Sequence, residues 1–206
     1  MTGIFVIGLA GTIAAGKGVA KEMIEKKYSA ASFSLSDAIR DEVRRRGLEL
    51  NRDNLVMVGN ELRRVYGPDI LAKRISRKIS TSADADGRKI EKKGAERRVI
   101  VIDSIRTPAE IEFLRKKYKK NCLTLFIDAP IRTRYRRAVS RSREGEHKLS
   151  FREFKRQDED GLGKNQPAWG NNLAECRRIS DFVVINSKSK EQLQDNILQI
   201  VGRYLG

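Results

Sequence analysis

Eight residues near the amino terminus, Gly11-Thr12-Ile13-Ala14-Ala15-Gly16-Lys17-Gly18, have the types and spacing to hold a chain of phosphates. They fit G-x-x-x-x-G-K-[ST] at every position but the last. Glycines let the backbone curl so that successive N–H groups point inward at phosphate oxygens. A helix starting at the lysine adds the positive end of its dipole. Lys17 supplies a mobile point charge for the β- and γ-phosphates. Gly18 is the departure, since a Ser or Thr there would hold Mg²⁺ directly. A glycine-rich turn without a ligand is the bland alternative. An apolar strand, this spacing, the lysine and a helix in one register argue against it.

Four further groups of residues could act with this loop. Asp103 closes an apolar run, where an acid linked to Mg²⁺ would stand beside a phosphate loop. Arg106 follows at the same edge. Asp37 lies three residues before Arg40, so the two share a helical face. Arg132, Arg134, Arg136, Arg137, Arg141 and Arg143 crowd one helix, and Arg137 and Arg141, four apart, can point together into a cleft. Most of the others read as a solvated face. Like charges at that density oppose the helix, and a phosphate-rich ligand would offset them.

The elements that must position these residues follow from the apolar pattern. Ile4-Phe5-Val6-Ile7 opens a buried strand before the loop, and Val19 to Lys27 continues the first helix. Ser32 to Leu35 reads as a second strand, with Ser36-Asp37 capping a helix over Ala38 to Arg46. Asn51 starts another helix whose inward stripe is Leu55, Val58, Leu62 and Val65, stopped by Gly67-Pro68. Asp69 to Ile79 is amphipathic, and Thr81 to Arg98 is a polar loop or hairpin. Val99 to Asp103 reads as a strand buried on both faces, Leu123 to Asp128 as another buried strand, and Phe182 to Asn186 as the last strand. They alternate with helices at Pro108 to Lys117, Ile131 to Arg143 and Lys190 to Tyr204. Glu144 to Asn172 is a polar, partly helical excursion. This alternation predicts an α/β fold of three layers, a parallel sheet covered by helices on both faces. In such sheets ligands bind at the carboxyl ends of the strands.

With 206 residues the chain is expected to form one domain. No apolar run approaches the roughly 20 residues of a membrane span, and no signal peptide is evident, so a cytoplasmic protein is expected. Cys122 and Cys176 lack metal spacing and read as reduced packing residues. His147, the single histidine, cannot form a metal site alone. The net charge of +16 calls for polyanionic company, either nucleic acid or a small substrate carrying several phosphates.

These motifs together resemble the adenylate kinase and nucleoside monophosphate kinase group of P-loop kinases, with a carboxyl-terminal part similar to dephospho-coenzyme A kinases. Adenylate kinases likewise carry glycine after the loop lysine. Val19 stands where they usually have threonine. Ser34-Leu35-Ser36-Asp37-Ala38-Ile39-Arg40 resembles their acceptor motif ending in Asp-x-x-Arg. Val101-Ile102-Asp103-Ser104-Ile105-Arg106 resembles an Asp-Gly-x-x-Arg segment, one residue shorter. The resemblance implies that residues 11–19 cradle ATP and that Asp103 orders Mg²⁺ through water. Arg40 and Arg106 would grip the acceptor, in an acceptor-binding region over residues 36–80. Arg137 and Arg141 fall at the two positions where lid arginines meet ATP, and Arg156 would lie on the far side of a lid-like region over 132–172. Ser180 to Asn186 resembles an A-D-x-x-I-x-N signature whose following loop borders the adenine.

The activity so implied is transfer of the γ-phosphate of ATP to a nucleotide-type acceptor, a (deoxy)nucleoside monophosphate before dephospho-coenzyme A. Asp37 would orient a phosphate acceptor or serve as base for a hydroxyl. The competing class is a P-loop ATPase that uses its basic surface on RNA in ribosome assembly. Against it stands the lack of any RNA-binding motif with interleaved aromatics, which make up only 6% of the chain.

Overall fold

Strand β1 (Ile4–Gly11) is the axis of the structure, a computed structural model that describes residues 3–80, 98–141, 149–164 and 166–205. β1 pairs in parallel with β3 (Arg98–Ile105) on one side and β4 (Cys122–Asp128) on the other. β2 (Ala31–Ser34) lies outside β3, and β5 (Phe182–Ile185) outside β4, also in parallel. The order is β2-β3-β1-β4-β5. From β1 the chain runs first to one side and later to the other, so a crevice opens at the carboxyl end of β1 itself.

Both faces of β1, β3 and β4 are covered, which explains their continuous apolar runs; on the edge strand β5, Val183 and Ile185 are exposed. Phe5, Ile7 and Leu9 point to the side of α1 (Lys17–Tyr28) and α9 (Lys190–Leu205), where Ile24, Leu193 and Ile197 meet them. Val6, Ala10, Phe33, Ile100 and Phe126 point the other way. There they are covered by α2 (Leu35–Arg45), α3 (Arg52–Tyr66), α4 (Ile70–Ser80), α5 (Pro108–Tyr118) and α8 (Leu173–Ile179). α6 (Ile131–Arg141) and α7 (Phe151–Leu162) stand over the carboxyl edge. The three-layer α/β architecture expected from the sequence is the one observed.

Three local readings need correction. The cap of α2 is Ser34, whose Oγ accepts from the Ser36 N–H at 3.3 Å, so the helix starts at Leu35 and not after Ser36-Asp37. On α3 the inward stripe does not reach Val65, which is 54% exposed, while Arg63 is 3% exposed. β3 is longer than the apolar run alone and bulged: Gly8 pairs Ile102 and Ala10 pairs Ile105, three residues against two. Ser104 absorbs the extra residue with φ 64°, a left-handed conformation that costs a non-glycine residue about 1–2 kcal/mol. Arg143, His147 and residues 81–97 of the expected polar loop or hairpin lie outside the described residues.

Candidate active site

The loop between β1 and α1 is fixed by its glycines and by what surrounds them. Gly11 has φ 147°, and a Cβ on it would lie 2.1 Å from the Ile127 carbonyl oxygen of β4. Gly16 has φ 106°, and a Cβ there would lie 2.4 Å from Asn186 Nδ2. Ala14 is also left-handed, at φ 57°. Left-handed residues are what lets a turn gather N–H groups into an anion nest; in this loop the Thr12 and Ala15 N–H groups donate to the Ile127 and Thr12 carbonyls at 3.3 Å each, so a nest would use the others. A Cβ on Gly18 meets nothing within 4 Å, so steric need does not explain the missing hydroxyl. Val19 packs its side chain against the apolar core on the α1 side.

The loop is tied to the rest of the sheet edge. Thr12 Oγ1 donates to Asp128 Oδ1 at 2.7 Å, and the Ala129 N–H donates to the same oxygen at 2.8 Å. Asn186 Nδ2 donates to the Ala15 carbonyl at 2.8 Å. Arg137 lies over this junction, donating to Asn186 O at 3.2 Å, to its Oδ1 at 3.4 Å and to Ala15 O at 3.5 Å. Beside Asn186 a hollow of about 210 Å³ opens between Ser187 and Lys188 after β5 and Gln192 and Asn196 of α9.

Lys17 Nζ donates to the carbonyls of Gly11 and Thr12, 2.8 Å each. An ammonium has three donors, so one is left for a ligand. Burial of this ammonium at the loop pushes its pKa down to about 8; the Arg106 guanidinium adds to the shift and the Asp103 carboxylate opposes it. Asp103 Oδ1 is buried without a hydrogen-bond partner, at the strand edge that the bulge distorts. Among the described residues no group of three His, Cys, Asp or Glu could hold a metal by itself. One orphan carboxylate oxygen beside a phosphate loop does suit Mg²⁺, which takes one or two carboxylates and completes its shell with phosphate oxygens and water.

Across from the loop lies a cleft of about 980 Å³. Gly11, Ile13, Ala14 and Lys17 form one wall, Arg40 and Arg106 another, and Arg156 of α7 a third. Asp37 does not line it; its Oδ1 accepts from Arg40 Nη1 at 2.7 Å and so orients that arginine. Arg141 is exposed at the end of α6 and is not among the lining residues. The expected residues therefore divide into two groups on either side of the loop, Arg137 with Asn186 and Arg40 with Arg106 and Arg156; Arg141, exposed one turn after Arg137, adds its charge to the burial that lowers the Arg137 pKa and so stands with the first group.

Two buried pairs were not foreseen. Arg134, 5% exposed, makes a two-pronged contact with Asp158, Nη1 to Oδ1 at 2.5 Å and Nη2 to Oδ2 at 2.8 Å, and so fastens α7 to α6. Its Nε also donates to Ala129 O at 2.8 Å. The signal for its burial was present: Ile131, Arg134 and Ala138 stand at i, i+3 and i+7 on one face. Glu110, fully buried, accepts from Arg63 Nη2 at 3.3 Å and from the N–H groups of Arg106 and Thr107 at 2.8 and 3.1 Å. Thr107-x-x-Glu110 is a capping box legible in the sequence.

No family model matches the chain. Over 200 residues it is 30% identical to the UPF0200 protein of Methanosarcina barkeri (strain Fusaro), covering 97% of this chain and 96% of that protein. Over 196 residues it is 33% identical to the UPF0200/UPF0201 protein of Archaeoglobus fulgidus, covering 95% of this chain and 54% of that one, so it spans about half of that relative's length. The chain belongs to the UPF0200 family. Among solved structures, this UPF0200 chain is similar to TT1252 from Thermus thermophilus, with TM-score 0.58 and 19% identity over 99% of this chain and 100% of that one. It is also similar to a gluconokinase from Sinorhizobium meliloti, with TM-score 0.56, 13% identity, and 99% and 94% of the two chains covered. A shikimate kinase from Acinetobacter baumannii matches with TM-score 0.54, 12% identity, and 100% and 97% covered. At these identities the likeness establishes the P-loop kinase fold for the UPF0200 chain. It does not single out adenylate or dephospho-coenzyme A kinases.

Proposed function

We propose that this UPF0200 protein is an ATP-dependent phosphotransferase that moves the γ-phosphate of ATP to a nucleotide-type acceptor, a (deoxy)nucleoside monophosphate. The observation that carries the reading is Lys17, seated on the carbonyls of a left-handed glycine loop and facing Arg40, Arg106 and Arg156 across one cleft. Phosphoryl transfer asks a protein mainly for positioning and charge neutralisation, and this arrangement supplies both. The loop N–H groups and Lys17 hold the β- and γ-phosphates. The hollow beside Asn186, with Arg137 above it, suits the adenine and ribose. Asp103 is the residue that would hold Mg²⁺, which neutralises the phosphate charge when bound. Arg40 and Arg106 hold the acceptor within the region 36–80. α7 (Phe151–Leu162) covers one side of the cleft and excludes water there, with Arg156 facing the transferring group and Arg141 on α6 near Arg137.

The pairing of Asp37 bears on the acceptor. A hydroxyl acceptor, as in dephospho-coenzyme A, needs a base within reach. Asp37 is engaged with Arg40 at 2.7 Å and lies off the cleft wall, which favours an acceptor that is already an anion. The test is transfer from labelled ATP to a panel of nucleoside monophosphates and dephospho-coenzyme A. Transfer to a monophosphate that is lost in a folded Lys17→Ala protein supports the reading; undiminished turnover in that variant overturns it. The net charge of +16 favours one rival, an RNA-associated ATPase. Tight RNA binding with a steep salt dependence, and transfer to no mononucleotide, would establish that rival instead.

A further inference from the structure

One wall of the acceptor side of the cleft is apolar. Ile39 of α2 and Leu55, Val56 and Met57 of α3 line it, and Val56 and Met57 are 50% and 49% exposed. At the buried end of this wall Arg63 borders the same cleft. The only side-chain hydrogen bond it makes among the described residues runs from Nη2 to Glu110, and its buried Nε has no partner. Gly59, one turn earlier, lies against the cleft-lining Ile39: a Cβ there would come within 2.9 Å of Ile39 Cδ1, and it would lie 3.6 Å from Arg63 Nη1, so the guanidinium sits beside this part of the wall.

A guanidinium has five N–H donors and no acceptor, and buried donors left unfilled are unfavourable. Only an acceptor atom can fill them. Glu110 already balances the charge of Arg63 and also receives two backbone N–H groups. A second full anion therefore gains less at this point than a neutral oxygen. The wall narrows the choice further. A polyhydroxylated acceptor would leave Val56 and Met57 facing hydroxyl groups, whereas the face of a flat ring removes them from water. Asn60, Gln157 and Asn171 stand around the same space and can meet the polar edge of such a ring.

Resting on the phosphotransferase reading, we propose that the acceptor carries a heteroaromatic base with a ring carbonyl at purine C6 or pyrimidine C4, and that Arg63 reads that carbonyl. An amino group at that position, as in adenine and cytosine, sets donor against donor. The base lies on the Val56 and Met57 wall, and its phosphate extends toward Arg40 and Arg106.

The experiment compares GMP, IMP and UMP with AMP and CMP on the intact protein, by calorimetric binding with a non-hydrolysable ATP analogue present and by transfer kinetics. GMP, IMP and UMP, the 6-oxo and 4-oxo bases, are expected to be preferred by about tenfold or more, in affinity and in kcat/KM. In Arg63→Met that preference should shrink to within about threefold while ATP affinity stays unchanged. Because this variant strands Glu110, Arg63→Met with Glu110→Gln is the companion, and the wild-type comparison needs no variant. Equal or better binding of AMP and CMP by the wild type overturns the proposal, as does a folded variant that keeps the preference. Binding of oxo-base nucleotides without transfer would uphold it and overturn the kinase reading. Transfer without base preference would do the reverse, and binding of none overturns both.

Discussion

Asn186 and Ala15, 171 positions apart in sequence, are joined by a 2.8 Å hydrogen bond from the buried side-chain amide to the loop carbonyl. Through it the last strand braces the phosphate loop from behind, with Arg137 resting on the joint. Asn186→Ala leaves the Ala15 carbonyl with only the long 3.5 Å bond from Arg137, a loss of about 1–3 kcal/mol. ATP affinity by calorimetry should fall by about tenfold, with acceptor affinity unchanged. An unaltered ATP affinity would show that the loop holds its shape alone.

Lys17 ties nucleotide binding to pH. Burial lowers its pKa to about 8, so in the free protein the ammonium loses its proton as the pH passes that value. Triphosphate favours the charged form and raises the pKa. Affinity for ATP should therefore be flat below about pH 7 and decline above 8, by at most tenfold per unit. Binding at pH 8 should take up a fraction of a proton, measured as a buffer-dependent enthalpy. Proton release, or none, would contradict the sign.

The Arg134–Asp158 pair fastens α7 to α6, and both side chains are about 6% exposed. Asp158→Leu strands a buried guanidinium and should cost about 3–5 kcal/mol. For a chain of this size that is a fall of about 10 °C in Tm. Adding Arg134→Met should recover much of it, since an apolar pair of similar volume removes the desolvation cost. Failure to recover would mean that the pair specifies the packing of α7 as well as stabilising it.

Gly18→Ser should fold, because a Cβ there has open space around it, and helix propensity favours serine over glycine by about 0.5 kcal/mol. The added hydroxyl supplies the direct ligand that the loop lacks. Transfer activity should then saturate at a lower Mg²⁺ concentration. A higher requirement would show that Asp103 alone governs the ion.

Much of the donor side was legible because backbone geometry leaves so little freedom there. Only glycine tolerates the approach of Gly11 to Ile127 and of Gly16 to Asn186, so the motif survives as letters. Strands buried on both faces also announce themselves as apolar runs. The buried charges were harder. Arg134 sits among arginines of identical chemistry, and only its position on the inward face of α6 separates it from them. Arg63 lies off the apolar stripe of α3, and its burial depends on Glu110, 47 residues away. The bulge that accommodates Ser104 depends on how β3 pairs with β1, which no local pattern records.

The sheet order separates two kinds of inheritance. In the proposed reading the donor is held from β1, β4 and β5, with Asp103 of β3 beside them, while the opposite wall is built by α2, α3, α7 and the turn after β3. Lineages can therefore rewrite the second without disturbing the first. A few exchanges along α3 could retune what is phosphorylated while the source of the phosphate stays the same.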